Sequence, residues 1–221
     1  DSGLSNSSSE IVFTKGESVE GFNLFTPSTM TPGNESALQS DNVTEPFTVL
    51  NNGTEEIEID VSVESGCCRS WVTQDDSIRD SITIEPGSEN RYILKTYVPL
   101  NAEEGTHNLL LKMEGPVSRQ KSMSFQVSNN REMRRLGELR DAADTLKWRI
   151  GNFDSAGIET GAMNRSYGEL LSDIEMANRT VRADDIEGLR NATRQGYIQV
   201  ERIENLLEEQ EVLKYWLLNW W

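Results

Sequence analysis

The 221-residue sequence contains one histidine and two cysteines. A metal centre made of imidazoles and thiolates needs three or four such ligands at short spacing, which these residues do not supply. His107 stands alone in "GTHNLLLKM", where it reads as a surface or strand-edge imidazole. Basic residues are scarce too: 21 Lys and Arg against 37 Asp and Glu leave a net charge of -16. Such a surface repels phosphate backbones, so nucleic acid is not expected as a partner. Lysine is rarest, 6 against 15 arginines. An acidic, lysine-poor surface is one way for a protein to stay hydrated in strong salt. No run of about 18 apolar residues occurs. The opening "DSGLSNSSSE" lacks the basic and apolar regions of a secretory signal, and residues 1–10 are expected to be a flexible N-terminus left after signal cleavage.

Proline is absent after Pro116, and the hydrophobic period changes soon afterwards. Before that point, "FTVLNNGTEEIEIDVSV", "SITIEPGSENRYILKTYVP" and "GTHNLLLKMEGPVSRQKSMSFQVS" alternate β-branched or aromatic residues with polar ones between Gly, Pro and Asn turn signals. "EIVFT" and "VEGFNLF" offer two further strands. Seven or so short strands predict an antiparallel Ig-like β-sandwich over residues 11–129.

From about Arg131, Leu136, Leu139, Ala143, Leu146, Ile150 and Phe153 recur at steps of three and four, the seam of an amphipathic helix. Tyr167, Leu170, Ile174, Ala177 and Val181 repeat the pattern. So do Ile186, Leu189, Thr193, Gly196, Val200, Ile203 and Leu207, after an aspartate-rich "ADD" able to cap a helix start. "DSAGIETGAMN" and "NRTVRADD" are read as the reversals between helices. Residues 130–221 are thus expected to form an all-α three-helix bundle or stalk, with an oligomerising coiled coil as the rival arrangement.

Asn-x-Ser/Thr occurs at Asn6, Asn34, Asn42, Asn52, Asn164, Asn178 and Asn191, seven of 17 asparagines. Chance would place roughly two or three, so the excess points to an exported glycoprotein.

The stretch Phe47 to Ser128 resembles the Ig-like sandwich domains of archaeal and bacterial surface proteins, the NEW3-like group that includes the domain trailing some α-galactosidases. The residues that carry the resemblance are Asn51 to Gly53, Pro86-Gly87, Val98-Pro99 and Ala102 to Gly105, with Gly53, Gly87 and Gly105 expected to supply positive φ. The resemblance covers just over a third of the chain. It implies a non-catalytic spacer, adhesion or carbohydrate-associated module, and does not extend to the helices.

Catalytic residues do not converge anywhere in the sequence, and no enzyme activity or cofactor is expected. Cys67 and Cys68 are adjacent. A vicinal disulfide, two intermolecular bridges and two free thiols are all open, the first being favoured in an oxidising exterior with Gly66 easing the bend. A redox enzyme would carry Cys-x-x-Cys instead. Asp75, Asp76 and Asp80 lack the repeat and glycine of an EF-hand and read as a solvated loop. Tyr92 and Tyr97 fall on opposite faces of one strand, so one of them is core, which weakens a sugar-stacking platform.

The ending "KYWLLNWW" puts apolar groups on every face of the last helix. Lys214, Tyr215, Trp216, Trp220 and Trp221 fit a membrane interface, where Trp and Tyr concentrate and lysine snorkels. The alternative is that they close the helical core. The resulting expectation is a non-catalytic, membrane-tethered extracellular cell-surface glycoprotein. Its partners would be a protein or glycan at the cell surface and the membrane itself, with a homo-oligomer through the helices as an option. A carbohydrate-binding accessory module and a virus spike or fusion subunit are the alternatives. Protein from its native source is expected to show an intact mass above the 24.9 kDa of the polypeptide. An unmodified mass would remove the main sequence support for export.

Overall fold

The computed structural model describes residues 22–25 and 37–219, with side chains over 37–212. The chain divides into two compact units, residues 1–128 and 129–221. Each encloses its own buried apolar cluster.

The first unit contains β1 (Phe22–Phe25), β2 (Ala37–Leu38), β3 (Asn42–Asn51), β4 (Ile57–Ser65), β5 (Arg69–Gln74), β6 (Ser77–Ile78), β7 (Ser81–Ile84), β8 (Glu89–Tyr97), β9 (Gly105–Glu114) and β10 (Ser118–Ser128). They form two five-stranded sheets, β1-β3-β8-β5-β6 and β2-β10-β9-β4-β7. All pairings are antiparallel except that of β10 with β2. The strand count exceeds seven partly because β2 and β6 are two-residue pieces that no periodicity marks. Of the two upstream runs, "VEGFNLF" supplies β1, while "EIVFT" lies outside the described residues.

Alternation decides which side chains meet. Val43, Phe47 and Val49 of β3 and Tyr92 and Leu94 of β8 turn inward from one sheet. Ile57, Ile59 and Val61 of β4, Leu109, Leu111 and Met113 of β9, and Met123, Phe125 and Val127 of β10 turn inward from the other. They join in one cluster, which makes the unit a β-sandwich. Phe47 and Tyr92 sit directly opposite each other in the ladder and stack with ring centroids 5.6 Å apart. Tyr97, on the other face, is half-buried. Pro46 is tolerated within β3 because the β1 ladder reaches only to Thr48, so the missing N–H breaks no described pairing.

Turn chemistry closes the ends. Glu85 to Ser88 form a turn with the Ser88 N–H donating to Glu85 O at 3.1 Å and Gly87 at φ 70°, as a type II turn requires after Pro86. Gly105 also has positive φ, but Gly53 does not, and its expected role is corrected below. Between β5 and β6 both central residues, Asp75 and Asp76, have positive φ (50° and 60°). That is the two-residue hairpin whose twist matches paired strands, built here with aspartates instead of glycine.

The second unit contains α1 (Arg131–Ser155), α2 (Gly161–Arg182) and α3 (Ile186–Asn219). Asn130 caps α1, accepting from the Met133 N–H at 2.9 Å. Gly157, at φ 75°, ends α1: its N–H and that of Ile158 reach back to Asp154 O and Phe153 O. The second reversal is much shorter than "NRTVRADD", since α2 continues through Arg182. Three residues turn the chain. Asp184 takes φ 59°, closing α2 as Gly157 closes α1, and Asp185 immediately caps α3 by accepting from the Gly188 N–H at 2.9 Å.

Leu136, Leu139, Ala143, Leu146 and Ile150 of α1, Leu170 and Ala177 of α2, and Leu189, Thr193, Gly196, Val200, Ile203 and Leu207 of α3 are buried. Phe153, Tyr167, Ile174, Val181 and Ile186 are half-buried, and Met163 and Ser166 join the buried side of α2. Arg190 pairs with Glu132 near the starts of α3 and α1, and Arg149 pairs with Glu211 near their ends, so these two helices run the same way. Arg140, in the first half of α1, donates to Asn178, near the end of α2, so α2 runs antiparallel to them.

Gly196 sets the closeness of α1 and α3. A Cβ there would stand 2.5 Å from Cδ2 of Leu139, which is fully buried and would have to shift within the core. Gly196→Ala gains roughly 1 kcal/mol of helix propensity, against about 1–3 kcal/mol of overpacking, and is expected to destabilise the helices. Gly168→Ala, in open space on α2, is expected to stabilise by about 0.5–1 kcal/mol. Urea unfolding followed by circular dichroism checks both; a stabilising Gly196→Ala would contradict the packing.

Candidate functional site

The described residues enclose one opening that gathers chemically distinctive groups. β4 ends at Ser65 in one sheet and β5 begins at Arg69 in the other, so Gly66, Cys67 and Cys68 carry the chain across the sandwich edge. The two cysteines are joined by a disulfide. Ser65 Oγ accepts from both of their N–H groups, at 3.4 and 3.1 Å, and both side chains pack half-buried against the sandwich core. Gly66 and Cys67 line an open pocket of about 490 Å³ with Asn101, Ala102, Glu103 and His107.

The opposite wall is the link from β8 to β9. Its bend is held by the Ala102 N–H donating to Pro99 O at 3.1 Å and by Gln39 Nε2 donating to Ala102 O at 2.7 Å. His107 Nε2 lies 2.7 Å from Glu103 O. A carbonyl only accepts, so Nε2 carries the proton and Nδ1 of the neutral ring keeps the lone pair. The imidazole also leans on Phe125, with ring centroids 6.0 Å apart. Sequence reading found Cys67, Cys68 and His107 separately. It did not foresee that two links 35 residues apart meet, because no local pattern encodes a contact between loops.

The predicted glycosylation residues fall in unlike settings. Asn6 and Asn34 lie outside the described residues. Asn42 begins β3 and is exposed, and Asn52 is exposed in the β3–β4 turn. Asn164 and Asn191 are exposed on helices, where Asn164 Nδ2 donates to Thr160 Oγ1 at 3.1 Å. Thr193 of the Asn191 sequon is buried, its hydroxyl donating to Leu189 O at 2.9 Å. Asn178 is half-buried and accepts from Arg140. Among the described sequons, Asn52 alone combines exposure with a turn, the setting in which an acceptor asparagine is most accessible.

Lys214, Tyr215 and Trp216 lie on α3, but their side chains fall outside the described set, as do Trp220 and Trp221 altogether. Among the described residues no helix is long and apolar enough to cross a membrane. No group of three or more potential metal ligands is found among them either. Asp76 pairs with Lys95 at 3.1 Å. In the described part of the sandwich no aromatic side chain is exposed: Phe47, Tyr92 and Phe125 are buried, Trp71 and Tyr97 half-buried. The groups with displaced proton affinity lie away from the pocket. Burial raises Tyr92, Tyr167 and Tyr197, and burial and then the Glu169 carboxylate raise Asp173.

No family model matches the chain, and no curated protein matches it. Among solved structures, it is similar to the FixG-related protein from Vibrio parahaemolyticus, at 11% identity and TM-score 0.36, over 49% of this chain and 95% of that chain. The PapD-like domain 7 of human CEP192 is 13% identical at TM-score 0.37, over 55% and 96% of the two chains. The E. coli chaperone DraB is 11% identical at TM-score 0.35, over 48% and 54%. Likenesses this distant carry no argument about activity or partners.

Beside the Asn52 sequon, Asn51 has a role that the sequence motif hid. It is fully buried, and its Nδ2 donates to Glu55 O at 2.8 Å and Ile84 O at 2.9 Å, while its Oδ1 accepts from the Gly53 N–H at 2.9 Å. Gly53 thus serves this bond rather than a positive φ. Asn51→Asp turns a donor into an acceptor facing two carbonyls, and is expected to destabilise the protein by about 3 kcal/mol or more at neutral pH. Burial raises the introduced carboxyl above its unfolded value, so the loss should grow as pH rises through that folded value and shrink in acid. Asn52→Asp is expected to stay within about 0.5 kcal/mol of the parent. Chemical denaturation at two pH values compares the pair; equal losses would overturn this account.

Proposed function

We propose that the chain is the non-catalytic ectodomain of a membrane-tethered cell-surface glycoprotein, composed of an Ig-like sandwich unit of the NEW3-like kind and a three-helix bundle. The observation that carries the reading is α3. It begins in the shared helical core and runs unbroken to Asn219, so "KYWLLN" continues a helix already anchored by Leu189 to Leu207. Glu211 is level with Arg149 on α1, and Val212 is exposed. An apolar, aromatic continuation of a packed helix suits the headgroup region of a bilayer.

Three further features agree with this reading. The seams of all three helices meet in one cluster, which favours an intramolecular bundle over an oligomerising coiled coil. The turn at Pro86-Gly87 and the buried Asn51 beside Gly53 give physical content to the resemblance between the sandwich and surface-protein domains. Exposed acceptors at Asn42, Asn52, Asn164 and Asn191 are compatible with glycans on both units. A carbohydrate-binding module is disfavoured because no row of exposed aromatics lies on the described sandwich faces.

Replacing Trp216, Trp220 and Trp221 together with Ser tests the tether. The expected outcome is loss of co-flotation with phosphatidylcholine liposomes and little change in thermal stability. If those residues close the helical core instead, each contributes on the order of 3–5 kcal/mol, so the variant would melt far lower while its lipid association stayed unchanged.

A further inference from the structure

We propose that the Cys67–Cys68 disulfide is a reducible latch on the pocket it lines, opened by a dithiol and closed by the reverse exchange with a cyclic disulfide. This inference does not depend on the membrane tether. It rests on three placements: the bond joins adjacent residues, it sits in the link between the two sheets, and Cys67 faces an opening of about 490 Å³. A disulfide that only reinforces a fold usually joins distant parts of the chain and closes a long loop, from which its stabilisation derives. Adjacent cysteines close no such loop, so this bond contributes almost nothing of that kind. What it fixes is local: the backbone of one peptide unit, at the point where the chain changes sheets.

Ser65 Oγ lies 3.9 Å from Cys67 Sγ and also accepts from the N–H groups of Cys67 and Cys68, two bonds that do not require the S–S bond. Reduction therefore relaxes the link without dissolving the sandwich, whose cluster needs Cys67 and Cys68 only at its margin. The pocket gives a reductant access to Cys67, and His107 in the same opening keeps one ring nitrogen unprotonated in its neutral form. That imidazole suits it to take a proton from an incoming thiol.

The exchange balances as follows. One thiolate of the dithiol attacks Cys67 Sγ, the Cys67–Cys68 bond breaks, and Cys68 leaves as a thiolate that is then protonated. The second thiolate of the dithiol attacks its own sulfur in the mixed disulfide, and Cys67 departs and is protonated. Two electrons and two protons pass to the protein, and the dithiol leaves as a cyclic disulfide.

The test uses the folded 221-residue chain equilibrated with mixtures of reduced and oxidised dithiothreitol, then alkylated with N-ethylmaleimide. Intact mass should pass in one step from no added groups to two, with melting temperature changed by only a few degrees. Amide exchange at Cys67, Cys68, Asn101 and Ala102 should speed up at least fivefold on reduction while the strands keep their protection. A Cys67→Ser/Cys68→Ser double variant should exchange at the fast rate with or without reductant. The proposal is overturned if alkylation needs denaturant, if the oxidised protein already alkylates, or if reduction leaves those four amides unchanged.

Discussion

Face-to-face burial of alternate strand side chains is the interaction on which the sandwich depends. Phe47, Val49 and Tyr92 from one sheet meet Ile59, Leu111 and Phe125 from the other in a single cluster. At roughly 1.5–3 kcal/mol for each large apolar side chain removed from water, this burial outweighs any single polar contact in the unit. Register follows from it, because a slip of β3 by one residue would carry Val43, Phe47 and Val49 to the solvent face together. The polar groups that matter act at the margins. Asn51 ties the β3–β4 turn to Ile84 of β7, and Ser65 frames the crossing between sheets. The helical unit obeys the same constraint with a different period, and Gly196 sets how closely two of its helices approach.

The same constraint explains what was legible in the amino-acid order. Period-two and period-3.6 patterns announce a buried face directly, so β3, β4, β8, β9, β10 and the α1 and α3 seams could be read before any coordinates. The residues that escaped are those whose role depends on a distant partner. Asn51 read as a turn residue, yet its amide also reaches Ile84, 33 positions away. A glycine in a tight turn is expected to supply a positive φ, but Gly53 instead presents its N–H to Asn51. α2 overran its predicted end because Asp184 accepts a left-handed conformation that composition alone would give to glycine. The pocket beside Cys67 was illegible for a related reason, since it is made by two links that share no pattern.

The chemistry-bearing groups of the chain stand at the ends of elements rather than inside either cluster. The vicinal disulfide, His107 and the exposed Asn52 all sit in turns or at a strand start, where substitution costs little core packing. A rigid two-sheet scaffold with variable links is a common way to present contact surfaces. The net charge of -16 adds a long-range repulsion between the molecule and other polyanions.

Separate closure of two cores is the central claim, and expressing residues 1–128 and 129–221 as separate polypeptides tests it most directly. The account predicts that each yields a dispersed amide spectrum and its own cooperative melt, the first with strand-type and the second with helical circular dichroism. An unfolded spectrum from either piece alone, recovered only on mixing with the other, would contradict it.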